Sequence, residues 1–404
     1  MRSNERRMLG LMLGVGIGIA SSAYAQTLTW LGVLPNDAWS YATEVSDDGT
    51  IVSGVSVEDI IDPNAFRRAF RWVQGVGLQS LERSDGWTLA HSVSGNGAIV
   101  VGGVAFVGPA ARAIYWDGSG ENILNGIGGD YTLAYDTSRD GAVIVGISTT
   151  SDSYARAVKW ESGSVQDLGT LGGNESGAYG VSASGTVTVG WAQRLDNVAY
   201  AVKWTAHGIV DSGVQGHATK ASEDGDVVVG TAINSADERY AFRWTSGGVN
   251  NLGTLGGTNS FAYDVSGNGA IVVGYAERAD QTGGAFRWAL SSGMEDLNQV
   301  YSYLLTNGSY LTEARGVSND GRFIVGMGLN AATGRTEAFL LDTACTAHNG
   351  DVDSNGCVDD ADLLAILFAF GQTGTSLGRV DVNCDQTVDD ADLLTVLFNF
   401  GSGC

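Results

Sequence analysis

A segment of about 44 residues recurs along most of this chain, and this repeat restricts the possible folds more than any other feature. Each copy contains a Ser-x-x-Gly turn followed by an apolar run, and in six copies a closing Trp. The turn serines follow one another at steps of 40 to 52 residues and define seven repeats: Ser46, Ser94, Ser138, Ser182, Ser222, Ser266 and Ser318. A period of about 40–45 residues is typical of a four-stranded propeller blade. We therefore predict a mainly-β, seven-bladed β-propeller-like array over residues 26–342.

The sixth repeat indicates where the four strands of a blade lie. Residues 262–266, 270–276 and 284–288 are predicted strands, and a segment like residues 250–255 is the predicted fourth. Asn-Gly and Asp-Gly pairs in the turns are typical of tight hairpins, because these residues tolerate positive φ. Calcium binding by these acidic turns is the alternative interpretation, but turn chemistry alone explains them. Second strands such as residues 271–274 are apolar throughout, which indicates burial on both faces.

The two ends of the array differ in a way that predicts closure. After residue 341 no fourth-strand segment follows, whereas residues 28–34 precede the first repeat without a partner. We expect this N-terminal segment to complete the last blade, which leaves no open sheet edge. An open β-solenoid is the alternative, because a period alone does not prove closure.

The repeat motifs resemble those of the bacterial extracellular HAF repeats. The similarity rests on Leu-Gly-Thr-Leu-Gly-Gly at residues 252–257 and 168–173, Val-Ser-Gly-Asn-Gly at 265–269 and Ala-Phe-Arg-Trp at 285–288. It covers roughly residues 28–341 and implies export and a repeat architecture, but no defined chemistry.

One position of the repeat is a candidate for ligand binding. Every repeat has an Ala before its turn, and the residues that follow these alanines include large polar and aromatic side chains. If they point into a central funnel, five of them would form a polar aromatic collar for a sugar or another small ligand: His91, Tyr135, Tyr179, Tyr263 and Arg315. The alternative is that they pack between blades.

The N-terminus and the charge predict the compartment. Residues 1–25 combine Arg2, Arg6 and Arg7 with an apolar run and a small-residue cleavage pattern at Ala23 and Ala25, which predicts a secretory signal peptide. A membrane anchor is the weaker alternative, because the apolar run at residues 8–20 is shorter than the roughly 20 residues that a spanning helix needs. The formal net charge of −23 argues against nucleic-acid binding. We expect a secreted protein, extracellular or held at a cell surface by docking, without a membrane span after cleavage.

Residues 343–349 form a polar linker, and residues 350–404 have a different composition, with ten Asp, one Arg and no Lys or Glu. Two copies of a twelve-residue Asp-rich loop lie 30 residues apart. Oxygen ligands at loop positions 1, 3, 5, 9 and 12, with a carbonyl at 7, suit calcium. The predicted ligands of the two calcium sites are Asp351, Asp353, Asn355, Cys357, Asp359 and Asp362, then Asp381, Asn383, Asp385, Thr387, Asp389 and Asp392.

The duplicated loop, followed each time by one apolar helix and Gly, resembles a type I dockerin. The resemblance implies calcium-dependent docking to a cohesin-like partner; a purely structural calcium module is the alternative. Gln386 stands where the pattern has Gly, which would force a strained positive φ and weaken the second site.

The four cysteines all lie in the last 60 residues, which favours two disulfides over a zinc site, although three connectivities are open. The termini of dockerin-like modules lie close together, so the resemblance implies Cys345 with Cys404 and Cys357 with Cys384.

The motifs favour a non-catalytic binding or display protein. The four histidines have no metal-ligand spacing, and the chain has no nucleophile elbow, P-loop or dinucleotide fingerprint. The alternative is a dockerin-borne polysaccharide hydrolase or lyase with its active site in the propeller. No catalytic residue can be assigned for it, and polysaccharide remains a possible ligand in both cases.

Overall fold

The computed structural model describes residues 26–404 except 60–64, 82, 84–85, 106–109, 345–347, 354, 374–376 and 385–386. The predicted signal peptide, Cys345, Asp385 and Gln386 lie outside the described residues. Within them the fold is mainly β and propeller-like, built from antiparallel four-stranded sheets that follow the sequence repeat.

The first three repeats each form one sheet whose strands are hydrogen-bonded in chain order. The first sheet contains β2 (Trp39–Val45), β3 (Ile51–Val57), β4 (Arg67–Val73) and β5 (Gly77–Ser80). The second contains β6 (Trp87–Val93), β7 (Val100–Ala105), β8 (Ala111–Asp117) and β9 (Gly120–Ile123). The third contains β10 (Thr132–Thr137), β11 (Val143–Thr149), β12 (Ala155–Glu161) and β13 (Ser164–Asp167).

The fourth and fifth repeats share one long strand, so their sheets join into seven strands. The strands are β14 (Gly172–Val181), β15 (Thr188–Arg194), β16 (Ala199–Thr205), β17 (Gly208–Ala221), β18 (Val228–Ile233), β19 (Arg239–Thr245) and β20 (Gly248–Asn251). The first half of β17 pairs with β16 and its second half pairs with β18. It is therefore the outer strand of one unit and the inner strand of the next.

The last two sheets differ in how their fourth strand is supplied. The sixth contains β21 (Gly256–Val265), β22 (Ile271–Arg278), β23 (Gly283–Ala289) and β24 (Gly293–Asp296). The seventh contains β25 (Tyr310–Val317), β26 (Phe323–Asn330) and β27 (Arg335–Asp342), and β1 (Thr27–Gly32) pairs antiparallel with β27. The predicted pairing of the N-terminal strand with the last repeat is thus confirmed.

The predicted bounds of the fourth strand, residues 250–255, lie too far towards the C-terminus. The strand is β20, which ends at Asn251, and it pairs with β19 of the preceding unit. Gly253 has a φ of +85°, which ends the extended run. Leu255 then makes a single bridge to Arg278 of the following unit, so this segment is the crossing between two sheets.

The recurrent Ser-x-x-Gly turn is explained by its hydrogen bonds. In the first repeat Ser46 Oγ accepts from the Ile51 amide at 3.0 Å and donates to Asp48 Oδ1 at 2.7 Å. Gly49 has a φ of +72°, and a Cβ there would lie 2.6 Å from the Phe323 ring of the last repeat. The turn therefore needs both its Ser and its Gly, and it packs against the neighbouring sheet.

The remaining elements are short helices. They are α1 (Leu297–Val300), α2 (Asp360–Ala369) and α3 (Asp390–Asn399), with 3₁₀ turns at Ser302–Leu304 and Gly378–Val380. The C-terminal pair has its own small core, which includes Val358, Ile366, Val388 and Val396. Among the described residues no helix is both long and apolar enough to cross a membrane.

Candidate functional site

A β-bulge occurs at one position of every repeat, directly after the repeated Ala. The pairing register between the first and second strands breaks there, for example between Ala42 and Glu44 and between Ala134 and Asp136. The same break occurs in the other five repeats. A bulge leaves one residue unpaired and turns its side chain away from the ordinary strand direction. We call the seven bulged residues the collar: Thr43, His91, Tyr135, Tyr179, Thr219, Tyr263 and Arg315.

Side chains of the collar meet one another across repeats. The His91 and Tyr135 ring centroids are 4.8 Å apart, and those of Tyr135 and Tyr179 are 5.2 Å apart, both edge to face. His217, from the fifth repeat, continues this row at 5.7 Å from Tyr179. Contacts between the same position of successive repeats require the innermost strands to converge. The structure thus brings His91, Tyr135 and Tyr179 together at the centre of the array.

The other predicted collar residues form a second group. The Arg315 guanidinium lies 5.7 Å from the Tyr263 ring centroid and 4.7 Å from that of Tyr41 in the first repeat. It also pairs with Glu313 at 2.7 Å. Burial, with a further contribution from the positive charge of Arg315, lowers the pKa of His91 to about 4. The imidazole is therefore neutral at physiological pH.

The residue that directly follows each collar residue in the sequence also faces the centre of the array. Lys220 Nζ lies 2.6 Å from Glu44 Oε2 and 2.7 Å from Asp136 Oδ1, and the charge of Asp264 acts on it as well. These four residues, here called the Lys220 cluster, come from the first, third, fifth and sixth repeats. Sequence reasoning missed them, although three acids and a lysine at one position of apolar strands were visible in the repeat alignment.

The Lys220 cluster lies at one end of the central space between the inner strands, and little free volume is left there. Residues from all seven repeats surround a cavity of only about 80 Å³ there. Around its rim the Asp47 amide donates to the Gly95 carbonyl, and the Glu223 amide donates to the Gly267 carbonyl. Burial, with repulsion from Asp264, raises the pKa of Glu44 to about 8. Burial also raises the pKa of Asp264.

The first predicted calcium loop gathers oxygen atoms. Carboxylate oxygens of Asp351, Asp353 and Asp362 all lie within 4.8 Å of one another. Asp362 is fully buried and accepts from the amides of Val352 at 2.6 Å and Asp353 at 3.1 Å. Asp351 Oδ1 is buried and has no hydrogen-bond donor among the residues that the structure describes. This oxygen set fits a hard cation such as calcium, which takes six to eight oxygen ligands.

The remaining ligand candidates of this loop are held by local bonds. Asn355 Oδ1 accepts from the Cys357 amide at 2.7 Å, and Asn355 Nδ2 donates to Asp353 at 3.0 Å. Asp359 caps α2 by accepting from the Ala361 amide at 2.8 Å. The Asn355 and Asp359 side chains therefore shape the loop in this structure.

The second loop repeats part of this arrangement. Asp392 is fully buried and accepts from the amides of Asn383 at 3.0 Å and Asp389 at 2.9 Å, as Asp362 does in the first loop. Asp389 caps α3 through the Ala391 amide at 2.8 Å. Asp381 is buried. Thr387 forms an isolated bridge with Thr373, which lies after α2.

The predicted disulfide pairing is wrong. Cys357 is bonded to Cys404, with their Cα atoms 4.7 Å apart. The reason is that the chain after α3 returns to the first loop, where the Gly401 amide donates to the Val358 carbonyl at 2.8 Å. Cys384 is also disulfide-bonded.

The outer faces of α2 and α3 leave large apolar side chains in solvent. Phe368 is 83% exposed and its counterpart Phe398 is 82% exposed. Their neighbours at matching positions are 46–50% exposed: Leu364, Leu367, Phe370, Leu394, Leu397 and Phe400. We call these eight residues the apolar face.

No family model matches the chain, and no curated protein matches it. Several solved structures are similar in fold. An oligogalacturonate lyase in complex with manganese superposes with a TM-score of 0.52 at 11% identity, covering 80% of this chain and 94% of the lyase. At this identity the similarity is one of fold.

Two further solved structures superpose less closely. The β-propeller domain of the Trilobed protease from Pyrococcus furiosus gives a TM-score of 0.49 at 8% identity, covering 75% of this chain and 95% of that domain. TolB from Acinetobacter baumannii gives 0.43 at 12% identity, covering 74% of this chain and 82% of TolB.

Proposed function

We propose that this is an exported, non-catalytic binding protein in which a closed, seven-bladed propeller is attached to a cohesin-like partner by a calcium-dependent C-terminal module. The apolar face is the observation that carries the proposal. Phenylalanines more than 80% exposed at two equivalent positions are unusual for an isolated surface, since large exposed apolar patches mark binding sites.

Closure of the ring is supported by contacts between its first and last repeats. A Cβ on Gly316 would lie 2.9 Å from Glu44 Cα and 3.0 Å from the Thr43 carbonyl oxygen. The Ala338 amide donates to Ser40 Oγ at 2.9 Å. Together with the β1–β27 pairing, these contacts join the seventh unit to the first as neighbouring blades join.

Calcium binding is supported by the crowded carboxylates of the first loop. Asp351, Asp353 and Asp362 would supply side-chain oxygens, and Asn355, Asp359 and the Cys357 carbonyl would complete the set after small rearrangements. The second loop would use Asp381, Asn383, Asp385, Thr387, Asp389 and Asp392. The cation would neutralise charges that otherwise repel one another, so calcium and the fold of this module are expected to be coupled.

The chemistry of the module defines the partner. Residues 349–404 carry ten Asp against one Arg, and Asp360 and Asp390 are exposed at the N-terminal ends of α2 and α3. A complementary partner is a folded domain that presents an apolar patch bordered by basic side chains. A cohesin-like protein is the partner that the loop-and-helix pattern implies.

A pull-down with immobilised cohesin domains tests the proposal. Capture of the chain is expected in calcium and not in EDTA, and the double variant Phe368→Asp/Phe398→Asp should abolish it. Leu290→Asp is the matched control, because Leu290 is 82% exposed on the propeller and should be irrelevant to docking. Equal capture with chelator, capture by the double variant, or none in calcium would refute docking. Calorimetric calcium binding without capture would identify a structural module instead.

A further inference from the structure

The collar residues lie at the centre of the array and are all partly exposed, so solvent reaches them. The Lys220 cluster lies one residue nearer the Ser-x-x-Gly turns, where the cavity is only about 80 Å³. The Lys220 cluster therefore lies between the collar and the turns.

Polar groups in the collar lack partners. His91 Nε2 and Arg315 Nε are both buried and have no hydrogen-bond partner within the described part of the protein. A buried polar atom without a partner costs roughly 1–3 kcal/mol. A ligand hydroxyl group that reached these atoms after small side-chain shifts would supply the missing hydrogen bonds.

Three tyrosines supply most of the aromatic surface of the collar. Tyr135, Tyr179 and Tyr263 combine flat apolar rings with hydroxyl groups, and Tyr41 and His217 extend this surface. Aromatic walls with a few convergent polar groups are typical of small-molecule sites. A sugar ring matches both properties, since its C–H faces pack on aromatic rings and its hydroxyl groups donate and accept.

The positive charges near the collar are already paired, which disfavours anionic ligands. Lys220 is paired with Asp136 at 2.7 Å, and Arg315 is paired with Glu313 at 2.7 Å. No free positive charge is therefore offered to a phosphate or a carboxylate by these groups. His91 adds none, because burial and Arg315 lower its pKa to about 4.

From this geometry we infer that the collar is a binding site for neutral oligosaccharides, with His91, Tyr135, Tyr179, Tyr263 and Arg315 as the contacting residues. Sugar rings stack on the tyrosines, and their hydroxyl groups bond to His91 Nε2 and the Arg315 guanidinium. The site is independent of the docking module, so it is expected to function with calcium removed.

Saturation-transfer NMR and calorimetry on residues 26–404 test the inference, using neutral hexasaccharides of glucan, xylan and mannan type. We expect at least one to bind saturably, and oligogalacturonate of equal length to bind at least tenfold more weakly. Tyr135→Ala and Arg315→Gln should each weaken binding about tenfold or more. Tyr154→Ala, at a residue 42% exposed outside the collar, should leave it unchanged.

Circular dichroism and thermal melting establish that each variant is folded, and Arg315→Gln, which keeps a polar side chain without the charge, serves as the second variant if Tyr135→Ala destabilises the array. The inference is overturned if folded wild-type protein binds none of the neutral hexasaccharides at millimolar concentration. Tighter binding of oligogalacturonate, or binding unchanged by both collar variants, would overturn it equally.

Discussion

Lys220 neutralises carboxylates that the fold buries together. Its side chain is 19% exposed, whereas those of Glu44 and Asp136 are 8% and 1% exposed. Burying several carboxylates is costly unless they are paired or protonated. The cluster meets this requirement partly through Lys220 and partly through the raised pKa of Glu44.

The raised pKa of Glu44 predicts a pH dependence of stability. The carboxyl group of Glu44 has a pKa near 4.5 when unfolded and about 8 when folded, so the folded state holds its proton more tightly. Its stabilising contribution is complete below pH 4.5 and is lost as the pH rises to about 8. With about 1.4 kcal/mol per pKa unit, we expect the free energy of unfolding to fall by up to about 5 kcal/mol over this range.

Urea unfolding of wild type and Glu44→Gln at half-unit pH steps measures this effect. The free energy of unfolding of wild type minus that of Glu44→Gln should decrease from pH 5 to pH 8, because the Gln side chain does not titrate. Gln79→Ala, at an exposed position, gives the baseline. A pH-independent difference between wild type and Glu44→Gln would show that Glu44 is ionised in the folded protein throughout.

At the scale of the strands, glycines permit the closest approaches between repeats. Gly180 and Gly316 occupy the position that Lys220 occupies in the fifth repeat. A Cβ on Gly180 would lie 2.3 Å from the Thr219 carbonyl oxygen in the next unit. This position therefore carries a charged side chain where the inner strands leave room for one, and a glycine without a side chain where the strands touch.

Gly316→Ala is expected to destabilise the array, because its Cβ would meet Glu44 Oε1 at 2.8 Å and Glu44 Cα at 2.9 Å. Overpacking of this kind typically costs about 1–3 kcal/mol. Gly118→Ala is the matched control, since its Cβ would meet nothing within 4 Å. Urea midpoints of both variants provide the comparison. Equal stability of the two would mean that the first and last repeats are not in contact there.

The sequence predicts what is local in these strands. The Ser-x-x-Gly turns, the buried second strands and the pairing of β1 with β27 follow from the repeat and its unequal ends. The bulges do not, because a register break depends on which residues pair. The Lys220 cluster joins residues 84 and 176 positions apart, so only the folded array reveals it. The Cys357–Cys404 bond likewise depends on where the chain goes after α3.

At the scale of the whole molecule, β1 fills the last position of the seventh sheet. Leu31 and Leu34 are 7% and 4% exposed, and both belong to the core between the first and last repeats. Without β1, the edge of β27 would be unpaired and this core open to water. Unpaired edges of this kind promote association between chains.

Removal of residues 26–34 should therefore increase self-association of the protein and lower its melting temperature. A synthetic peptide of residues 26–35 added in trans should reverse both changes, while a peptide with Leu31→Asp and Leu34→Asp should not. Light scattering after size exclusion distinguishes these states. A truncated chain with the same association state and stability as the intact protein would show that β1 is dispensable.

The position of β27 has a mechanical consequence. The chain leaves the array at Asp342, which is paired with Thr27 on one side and Phe323 on the other. A pull along β27, transmitted from a tethered C-terminal module, would load the hydrogen bonds to both neighbouring strands in shear, all at once. A propeller anchored through its tail under flow would thus bear tension on an interior strand of a sheet, where it resists rupture better than an edge strand that can be peeled away.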